Sequence, residues 1–221
     1  MLDRNFSSTE ENYIKAIFHL SEDGDESIST NDIARQVNAT AASVTDMLKK
    51  LKSKKLITYQ KYHGVRLTSE GEKTAKSIVR KHRLWEVFLV EKLGYSWDKI
   101  HDLAEQLEHV RSEELIDRLE KFLDYPKFDP HGDPIPDASG KLHSIKHIIL
   151  SKFKPGESGK VVGVKDSSSK LLEHLSSLNI HLGTHIKVVE LLEFDGSLII
   201  QLEGKKKETI SKMAAQNILI G

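Results

Sequence analysis

The chain has 221 residues, of which 38% are hydrophobic and 30% charged, a composition typical of a globular protein with a sizeable core. It contains no cysteine, which excludes a disulfide framework and thiolate metal sites, so a bound metal would need histidine nitrogens and oxygens. The N-terminal residues lack a signal-peptide pattern, and no apolar stretch reaches membrane-spanning length. We therefore expect a cytoplasmic protein with no membrane partner.

The formal net charge is zero, but the charges are segregated along the chain. Residues 41–83 contain 12 Lys+Arg and 3 Asp+Glu, a balance of +9. Residues 84–137 contain 6 Lys+Arg and 14 Asp+Glu, a balance of −8. A basic block followed by an acidic block is the pattern of a polyanion-binding module joined to a cation-binding module.

The chain begins with a predicted helix over residues 7–20. Ser7 or Ser8 is the expected N-cap, and Glu10 or Glu11, three residues on, would complete a capping box.

Two further helices and a hairpin follow. A short helix is predicted over residues 28–38, capped near Ser29 or Thr30, and a longer one over 41–56, capped by Thr40. Residues 57–68 alternate in polarity around a turn at His63-Gly64, which predicts a β-hairpin. Helix, short turn, helix and hairpin is the order of a winged helix-turn-helix.

In such a unit, the N-terminal part of the second helix enters the DNA major groove, where small polar residues allow a close approach to the bases. Lysines beyond them would contact phosphates. The alternatives are a basic solvated face or a winged helix that binds protein, and the complete ordered pattern favours DNA. The candidate DNA-binding residues are Thr40, Ala41, Ala42, Ser43, Thr45, Asp46, Lys49 and Lys50 on the helix, with Lys61 and Arg66 on the hairpin.

The rest of the chain reads as helices and then short strands. A capping box at Ser69 and Glu72 predicts a long helix over about residues 70–93, followed by helices at about 97–109 and 112–123. Residues 125–140 contain four of the five prolines and mark a boundary. Short β-branched runs beyond it, with one helix near 167–178, predict a small β-barrel.

We therefore predict a mainly α protein with a small β domain. Its three domains are a winged helix-turn-helix over residues 1–70, a helical domain over 71–140 that ends in a Pro-rich linker, and a small β-barrel over 141–221.

Residues 99–110, KIHDLAEQLEHV, crowd acids and histidines onto one predicted helix. At 100° per residue, the apolar positions fall on one side and the polar ones within an arc of about 120° on the other. Such a face is either solvated or a metal site. Its polar members are His101, Asp102, Glu105, Glu108 and His109.

The long helix favours the metal. Its apolar residues surround the axis, so it should be largely buried, yet it carries His82 and Glu86 at i and i+4. A buried carboxylate needs a cationic partner. A divalent cation shared with His101, Glu105, Glu108 and His109 would satisfy these residues.

The segments RKHRLWEVFL, KIHDLAEQLEHV and DPHGDPIP, following this winged helix, resemble the diphtheria-toxin-repressor family of metal-dependent regulators. The C-terminal domain is similar to the FeoA-like domain of the longer members. The resemblance covers nearly the whole chain and implies a homodimeric repressor, with residues 71–140 as its metal-binding and dimerisation domain. Its expected partner is the palindromic operator DNA of metal-uptake genes.

By position, the resemblance implies two metal sites. One comprises His82, Glu105, Glu108 and His109 with a ligand from the first helix, where Asn12 stands at the family's position and Glu11 is the alternative. The manganese-type members can have a second acid where this chain has Lys15, so a two-metal cluster is not favoured. The second, ancillary site comprises Glu86, His101, Asp129 and His131 with Asp166 from the β domain, Glu173 being the reserve.

Glu105 bears on metal identity, because iron-type members of the family carry a cysteine there. A set of nitrogen and oxygen ligands suits Mn²⁺, our first expectation, with Fe²⁺ second. Two other classes stay open, a metallohydrolase using the same cluster and a winged-helix regulator that responds to an organic ligand or a protein. We expect no enzyme, because no nucleophile or phosphate loop accompanies the cluster.

Overall fold

The computed structural model describes residues 6–22, 28–60, 64–204 and 206–221. The chain divides into two compact units, and neither is continuous in sequence. The first unit draws on residues 1–82, 106–112 and 136–141, and the second on 83–105, 113–135 and 142–221. The three-domain division at residues 70 and 140 stays a prediction.

The first unit begins with three helices and a hairpin. The elements are α1 (Ser8–Glu22), α2 (Thr30–Gln36), α3 (Ala41–Ser53), β1 (Ile57–Gln60) and β2 (Gly64–Leu67). The two strands pair antiparallel, with Ile57 opposite Leu67 and Gln60 opposite Gly64. This is the predicted order of a winged helix-turn-helix.

Side-chain caps determine where these helices begin. The Ser7 hydroxyl accepts a hydrogen bond from the Glu10 backbone N–H at 3.3 Å, and the Glu10 carboxylate accepts one from the Ser7 N–H at 2.8 Å. Ser29 and Thr40 each accept from the backbone N–H three residues on, at 3.1 and 3.2 Å. The expected caps of all three helices are confirmed, and the capping box uses Ser7 and Glu10.

The long helix, α4 (Ser69–Glu91), begins one residue earlier than predicted. Its cap is Thr68, whose hydroxyl accepts from the Gly71 backbone N–H at 3.1 Å, so the predicted capping box at Ser69 and Glu72 is wrong. Gly71 is required by packing, because an added Cβ would lie 1.9 Å from the carbonyl oxygen of Leu56. The core of the first unit includes the fully buried Ile14, Ile17, Ile33, Leu48, Leu51, Leu56 and Ile78.

The second unit contains the C-terminal part of α4, and its other helices include α6 (Glu113–Phe122). Helix α5 (His101–Leu107) is shorter than the predicted helix over 97–109. One apolar cluster of this unit joins α4 to α6. Its buried members are Leu84, Val87, Ile116, Leu119, Leu123 and Ile135.

The C-terminal part of the second unit is a β domain. Its strands are β3 (Ile148–Ile149), β4 (Ser158–Val164), β5 (His185–Leu191), β6 (Leu198–Leu202), β7 (Lys206–Ile210) and β8 (Ile218–Ile220), accompanied by α7 (Ser169–Ser177) and α8 (Lys212–Ala215). They form one antiparallel sheet in the order β3-β8-β4-β5-β6-β7. Over the described residues these pairings do not close the sheet, so it is open where we predicted a barrel.

Burial in β6 alternates strictly, with Leu198, Ile200 and Leu202 turned into the core of the β domain. That core also contains Trp97, which comes from the turn between α4 and α5. The predicted class, mainly α with a small β domain, is confirmed. Within the described ranges, no helix combines the length and apolar character that crossing a membrane requires.

Candidate metal centres

The first cluster belongs to the first unit and centres on Glu108, whose side chain is fully buried. Its Oε2 atom accepts a hydrogen bond from Lys15 Nζ at 2.7 Å and lies 2.6 Å from His82 Nδ1. Burial raises the pKa of Glu108, but the hydrogen bond with His82 and the positive charge of Lys15 outweigh it, so the pKa is lowered. Glu108 is therefore ionised in the folded protein.

Apart from Glu10 Oε1, which is ion-paired with Lys50 and Lys54, two side-chain oxygens of this unit are buried with no hydrogen-bond partner among the described residues. They are Glu108 Oε1 and Asn12 Oδ1, the latter on α1. An unsatisfied buried acceptor destabilises the fold by about 1–3 kcal/mol. Carboxylate and amide oxygens are ligands for hard divalent cations, so these residues fit a metal such as Mn²⁺.

His109 and Glu11 form a second contact between α1 and the segment 106–112. The His109 Nδ1 atom lies 2.5 Å from Glu11 Oε2, and both side chains are mostly buried. The structure thus brings both residues that were candidates for the α1 ligand into the first unit, with His109 beside one of them.

The second cluster belongs to the second unit and consists of Glu86, Asp129 and His131, all buried. One ligand atom from each lies within 4.8 Å of the others. His101 is more exposed, with its Nδ1 atom 3.6 Å from Glu86 Oε1. Four of the five residues predicted for the ancillary site therefore lie close together.

Charge is unbalanced in this second cluster. Burial raises the pKa of Asp129, and the negative charges of Glu86 and Asp133 raise it further. Burial lowers the pKa of His131, but the negative charges of Glu86 and Asp129 outweigh it, so that pKa is raised. Both raised pKa values reflect crowded negative charge, which a bound proton or a bound metal cation would offset.

Asp129 also shapes its own turn. Its Oδ1 atom accepts hydrogen bonds from the backbone N–H groups of His131 and Asp133, at 2.8 and 3.0 Å. Its Oδ2 atom lies 3.7 Å from Arg83 Nε, and Arg83 Nη1 donates to the Pro134 carbonyl at 2.6 Å. The turn that presents His131 is therefore held by a carboxylate and a buried arginine.

The remaining predicted metal ligands, Glu105, Asp166 and Glu173, are more exposed than the members of the two clusters described as buried. Glu105 is half-buried on α5, with its Oε1 atom 3.8 Å from His101 Nε2. Asp166 is exposed and accepts hydrogen bonds from the Ser168 backbone and hydroxyl, at 2.8 and 3.0 Å. Glu173 is exposed on α7. The roles of Glu105 and Asp166 stay predictions.

The candidate DNA-binding residues lie mostly on the surface of the first unit. Thr45 is half-buried, and Lys61 lies outside the described residues. Lys49 pairs with Asp46 at 2.9 Å, and Lys50 Nζ lies 3.3 Å from Glu10 Oε1. The exposed members are Thr40, Ala41, Ala42, Ser43, Asp46, Lys49, Lys50 and Arg66.

Sequence reasoning missed three contacts around these sites. Two of them are ion pairs between residues far apart in sequence, Lys15–Glu108 at 2.7 Å and Lys54–Glu10 at 2.6 Å, which no local sequence pattern predicts. The packing of Trp97 into the β domain was also missed. Its only signal was a large aromatic residue in a segment otherwise rich in polar residues.

Three family models match the chain, and together they cover most of it. They describe the N-terminal DNA binding domain of the iron dependent repressors (residues 5–65), their metal binding and dimerisation domain (68–137) and the FeoA domain (148–221). The chain is 33% identical to the iron-dependent repressor IdeR of Mycobacterium leprae over 183 residues, which covers 81% of this chain and 78% of IdeR. The chain belongs to the iron-dependent repressor family.

Other members of the iron-dependent repressor family show the same likeness. The diphtheria toxin repressor of Corynebacterium jeikeium is 32% identical over 142 residues, a match that spans 64% of this chain and 59% of that repressor. The solved structure of a manganese-dependent transcriptional repressor in complex with manganese has 33% identity and a TM-score of 0.83, covering 96% of this chain and 98% of that one. All three of these relatives are named as repressors rather than as enzymes.

Membership of the iron-dependent repressor family assigns DNA binding to residues 5–65, and metal binding and dimerisation to 68–137. Every candidate ligand of the second site except Asp166 and its reserve, Glu173, lies in the latter range. The first cluster combines His82, Glu108 and His109 from that range with Glu11 and Asn12 from the DNA-binding range.

Proposed function

We propose that this chain is a homodimeric, manganese-responsive transcriptional repressor that acts in the cytoplasm on a palindromic operator of metal-uptake genes. The observation that carries the proposal is the pair of buried oxygens, Glu108 Oε1 and Asn12 Oδ1, with no hydrogen-bond partner in the described part of the chain. A divalent cation bound to them would satisfy both.

For the first site we propose Asn12, His82, Glu105, Glu108 and His109 as ligands. Asn12 is preferred to Glu11 because its side-chain oxygen has no other partner among the described residues, whereas Glu11 already contacts His109. Glu105 is included on the family resemblance.

Lys15 argues for one metal ion at this site. Its ammonium group is bonded to Glu108 Oε2, which leaves Oε1 for a cation. A second divalent ion at Oε2 would have to displace a buried positive charge or lie against it, and like charges at such distances repel strongly.

For the second site we propose Glu86, His101, Asp129 and His131. The raised pKa values of Asp129 and His131 support a cation there, because their causes include crowded negative charges. Asp166 stays a candidate for a further ligand.

We propose Mn²⁺ first and Fe²⁺ second. The candidate ligands are carboxylate, amide and imidazole groups with no thiolate, a set that suits Mn²⁺ but also binds Fe²⁺, Co²⁺ and Zn²⁺. The relatives of this chain include both a manganese-dependent and an iron-dependent repressor. Geometry and metal availability would then set the choice in the cell.

Helix α1 is the proposed route from metal to DNA. Bound metal would supply positive charge that joins α1, through Asn12, to Glu108 and His109. On the same turn of α1, the buried Glu10 carboxylate lies 3.3 Å from Lys50 Nζ and 2.6 Å from Lys54 Nζ. A metal that binds the arrangement fit for DNA more tightly would shift the population towards it.

The test compares Glu108→Ala and His109→Ala with wild type, using DNA selected from a random pool by the Mn²⁺-loaded protein. Both variants should lose metal-dependent binding of the selected DNA, because losing a ligand should lower metal affinity by more than the roughly 10- to 100-fold typical of losing a residue that supports a ligand. Asp102→Asn, which changes an exposed acid of α5, is the control and should behave as wild type.

DNA affinity should be measured anaerobically in chelator, Mn²⁺, Fe²⁺ and Zn²⁺, with metal binding followed by calorimetry. Wild-type metal response in either variant would contradict the ligand assignment. Equal DNA affinity of the wild type in chelator and in every metal would instead indicate a regulator of the non-metal class.

A further inference from the structure

Trp97 is contributed by the turn between α4 and α5, yet its indole ring packs in the core of the β domain. It is 6% exposed. The indole N–H donates a hydrogen bond to the Ser176 hydroxyl of α7 at 2.7 Å, and the ring centroid lies 5.4 Å from that of His181. This one side chain therefore joins the helical part of the second unit to its β domain.

The same residue also orients a proposed metal ligand. His131 Nε2 lies 3.0 Å from the Trp97 carbonyl oxygen, and the two rings stack with centroids 6.1 Å apart and planes inclined by 18°. Because a carbonyl can only accept, His131 carries its hydrogen on Nε2 in the neutral state. Its lone pair is then on Nδ1, which is 3.8 Å from Glu86 Oε2.

The main chain at His131 is held by the β domain as well. The Val164 backbone N–H, at the end of β4, donates to the His131 carbonyl at 2.9 Å. Gly132 has φ +91°, and an added Cβ there would lie 2.2 Å from the carbonyl oxygen of Val162. The His131–Gly132 turn thus lies directly against β4, and no larger residue would fit.

We infer that docking of the β domain and metal binding by His131 are one coupled equilibrium, with Trp97 as the positioning residue. The inference rests on the proposed second metal site. Docking sets the position of the His131 main chain through Val164 and the orientation of its ring through Trp97, so a docked β domain preorganises the ligand. Coupling of this kind is reciprocal, so metal must also strengthen docking.

On this inference the β domain positions His131 through contacts that are not themselves metal ligands. The hydrogen bonds of Asp166 go to Ser168 next to it, whereas the contacts that reach His131 are a backbone N–H and an aromatic side chain. Such supporting contacts typically change metal affinity about 10- to 100-fold when they are removed.

Two amides distinguish undocking from unfolding. The Val164 N–H is hydrogen-bonded to His131, so its exchange with solvent reports docking. The Val161 N–H donates to the Thr184 carbonyl at 2.9 Å within the β domain, so its exchange reports the integrity of that domain. Both can be followed by NMR, with Zn²⁺ as the probe because it is diamagnetic.

The variants are Trp97→Ala, Trp97→Phe and Ser176→Ala in the full chain, with Phe194→Ala as a control at a fully exposed aromatic residue of the β domain. Zn²⁺ should slow Val164 exchange in wild type by about tenfold. Trp97→Ala should speed Val164 exchange, leave Val161 protected and weaken Mn²⁺ binding at the His131 site by about tenfold or more in calorimetry.

Trp97→Phe should recover part of the affinity by restoring the stacked ring, Ser176→Ala should show a smaller loss, and Phe194→Ala none. If Trp97→Ala released Val164 while Mn²⁺ affinity at the His131 site stayed at the wild-type value, the coupling would be refuted and the metal site would stand. If wild type showed no Mn²⁺ binding that His131→Ala removes, the second site and this inference would both be wrong. The first site, tested through His109, would be unaffected.

Discussion

Replacing Lys15 with methionine should destabilise the metal-free protein much more than the metal-bound protein. Lys15 and Glu108 form a buried ion pair, with side chains 9% and 0% exposed and a separation of 2.7 Å. Methionine keeps the length and apolar stem of the lysine but removes its charge. Glu108 would then be left in the core with only His82 as a described partner.

The expected loss of stability follows from the burial of this ion pair. Removing one partner of a buried ion pair typically costs about 3–5 kcal/mol, because an uncompensated charge is left behind. His82 stays 2.6 Å from the carboxylate and retains part of the compensation. We therefore expect a loss of about 2–3 kcal/mol in chelator, and less than about 1 kcal/mol when Mn²⁺ on Glu108 replaces the missing charge.

Urea denaturation followed by circular dichroism, in chelator and in saturating Mn²⁺, measures both values. Lys49→Met is the matched control, since Lys49 is 69% exposed and its pair with Asp46 should contribute less than about 1 kcal/mol in either condition. An equal loss of stability for Lys15→Met with and without Mn²⁺ would show that Glu108 does not bind the metal.

Two further predictions concern Glu10 and Glu105. Burial raises the pKa of Glu10, but the ion pairs with Lys54 and Lys50 and a hydrogen bond from the Ser7 backbone outweigh it and lower the pKa from 4.5 to about 2. Because the pKa of Glu10 is lower in the folded state than in the unfolded state, the contribution of Glu10 to stability is complete above pH 4.5 and disappears as the pH falls towards 2. Glu10→Gln should therefore lower the free energy of unfolding by about 2 kcal/mol at pH 7, a figure that allows for solvent screening at the partly exposed lysines, and by less at about pH 3. Urea denaturation measures both losses, and equal losses at the two pH values would contradict the pairing of Glu10 with the lysines. Glu105→Cys should keep metal-dependent DNA binding but respond less to Mn²⁺ and more to Fe²⁺, Co²⁺ or Zn²⁺, because a thiolate is the softer donor. An unchanged order of metal responses in DNA-retention titrations would remove Glu105 from the ligand set.

Local features of the fold could be predicted from the sequence because their causes are local. The caps at Ser7, Ser29 and Thr40 each join groups three residues apart, and the sequence contains both partners. The cap of α4 was predicted one residue late, because Thr68 and Ser69 are adjacent and both can cap. Similarly, α3 ends at Ser53 rather than 56, and Lys55 adopts a left-handed φ of 60° just beyond it.

The acidic segment shows where periodicity stops being informative. Asp102 is exposed, as a residue on a solvated helix face should be, whereas Glu108 is completely buried. The reason is that α5 ends at Leu107, so 100° per residue no longer describes the positions after it. The interpretation of this polar face as exposed to solvent therefore fails for Glu108, the central residue of the first cluster.

Spacing along the chain did not predict the ion pair of Lys15 or the packing of Trp97. Lys15 and Glu108 are 93 residues apart, and Trp97 and Ser176 are 79 apart. Which of many charged or hydroxyl-bearing residues becomes the partner depends on how the elements pack, and spacing along the chain carries no such information. The expected burial of His82 and Glu86, together with the resemblance to a known family, grouped His82 with the acidic segment, whereas the contacts of Lys15 and Trp97 emerged only from the structure.

The discontinuous first unit has a consequence for synthesis on the ribosome. Its pieces are residues 1–82, 106–112 and 136–141, so the last piece is completed 59 residues after the first. At a translation rate of about 5–20 residues per second, that delay is about 3–12 s. Glu108 and His109 are made during this delay, long after α1 and α3. The proposed first site can therefore bind metal only after these late residues have left the ribosome. A nascent winged helix would thus reach the cell interior before it could respond to metal.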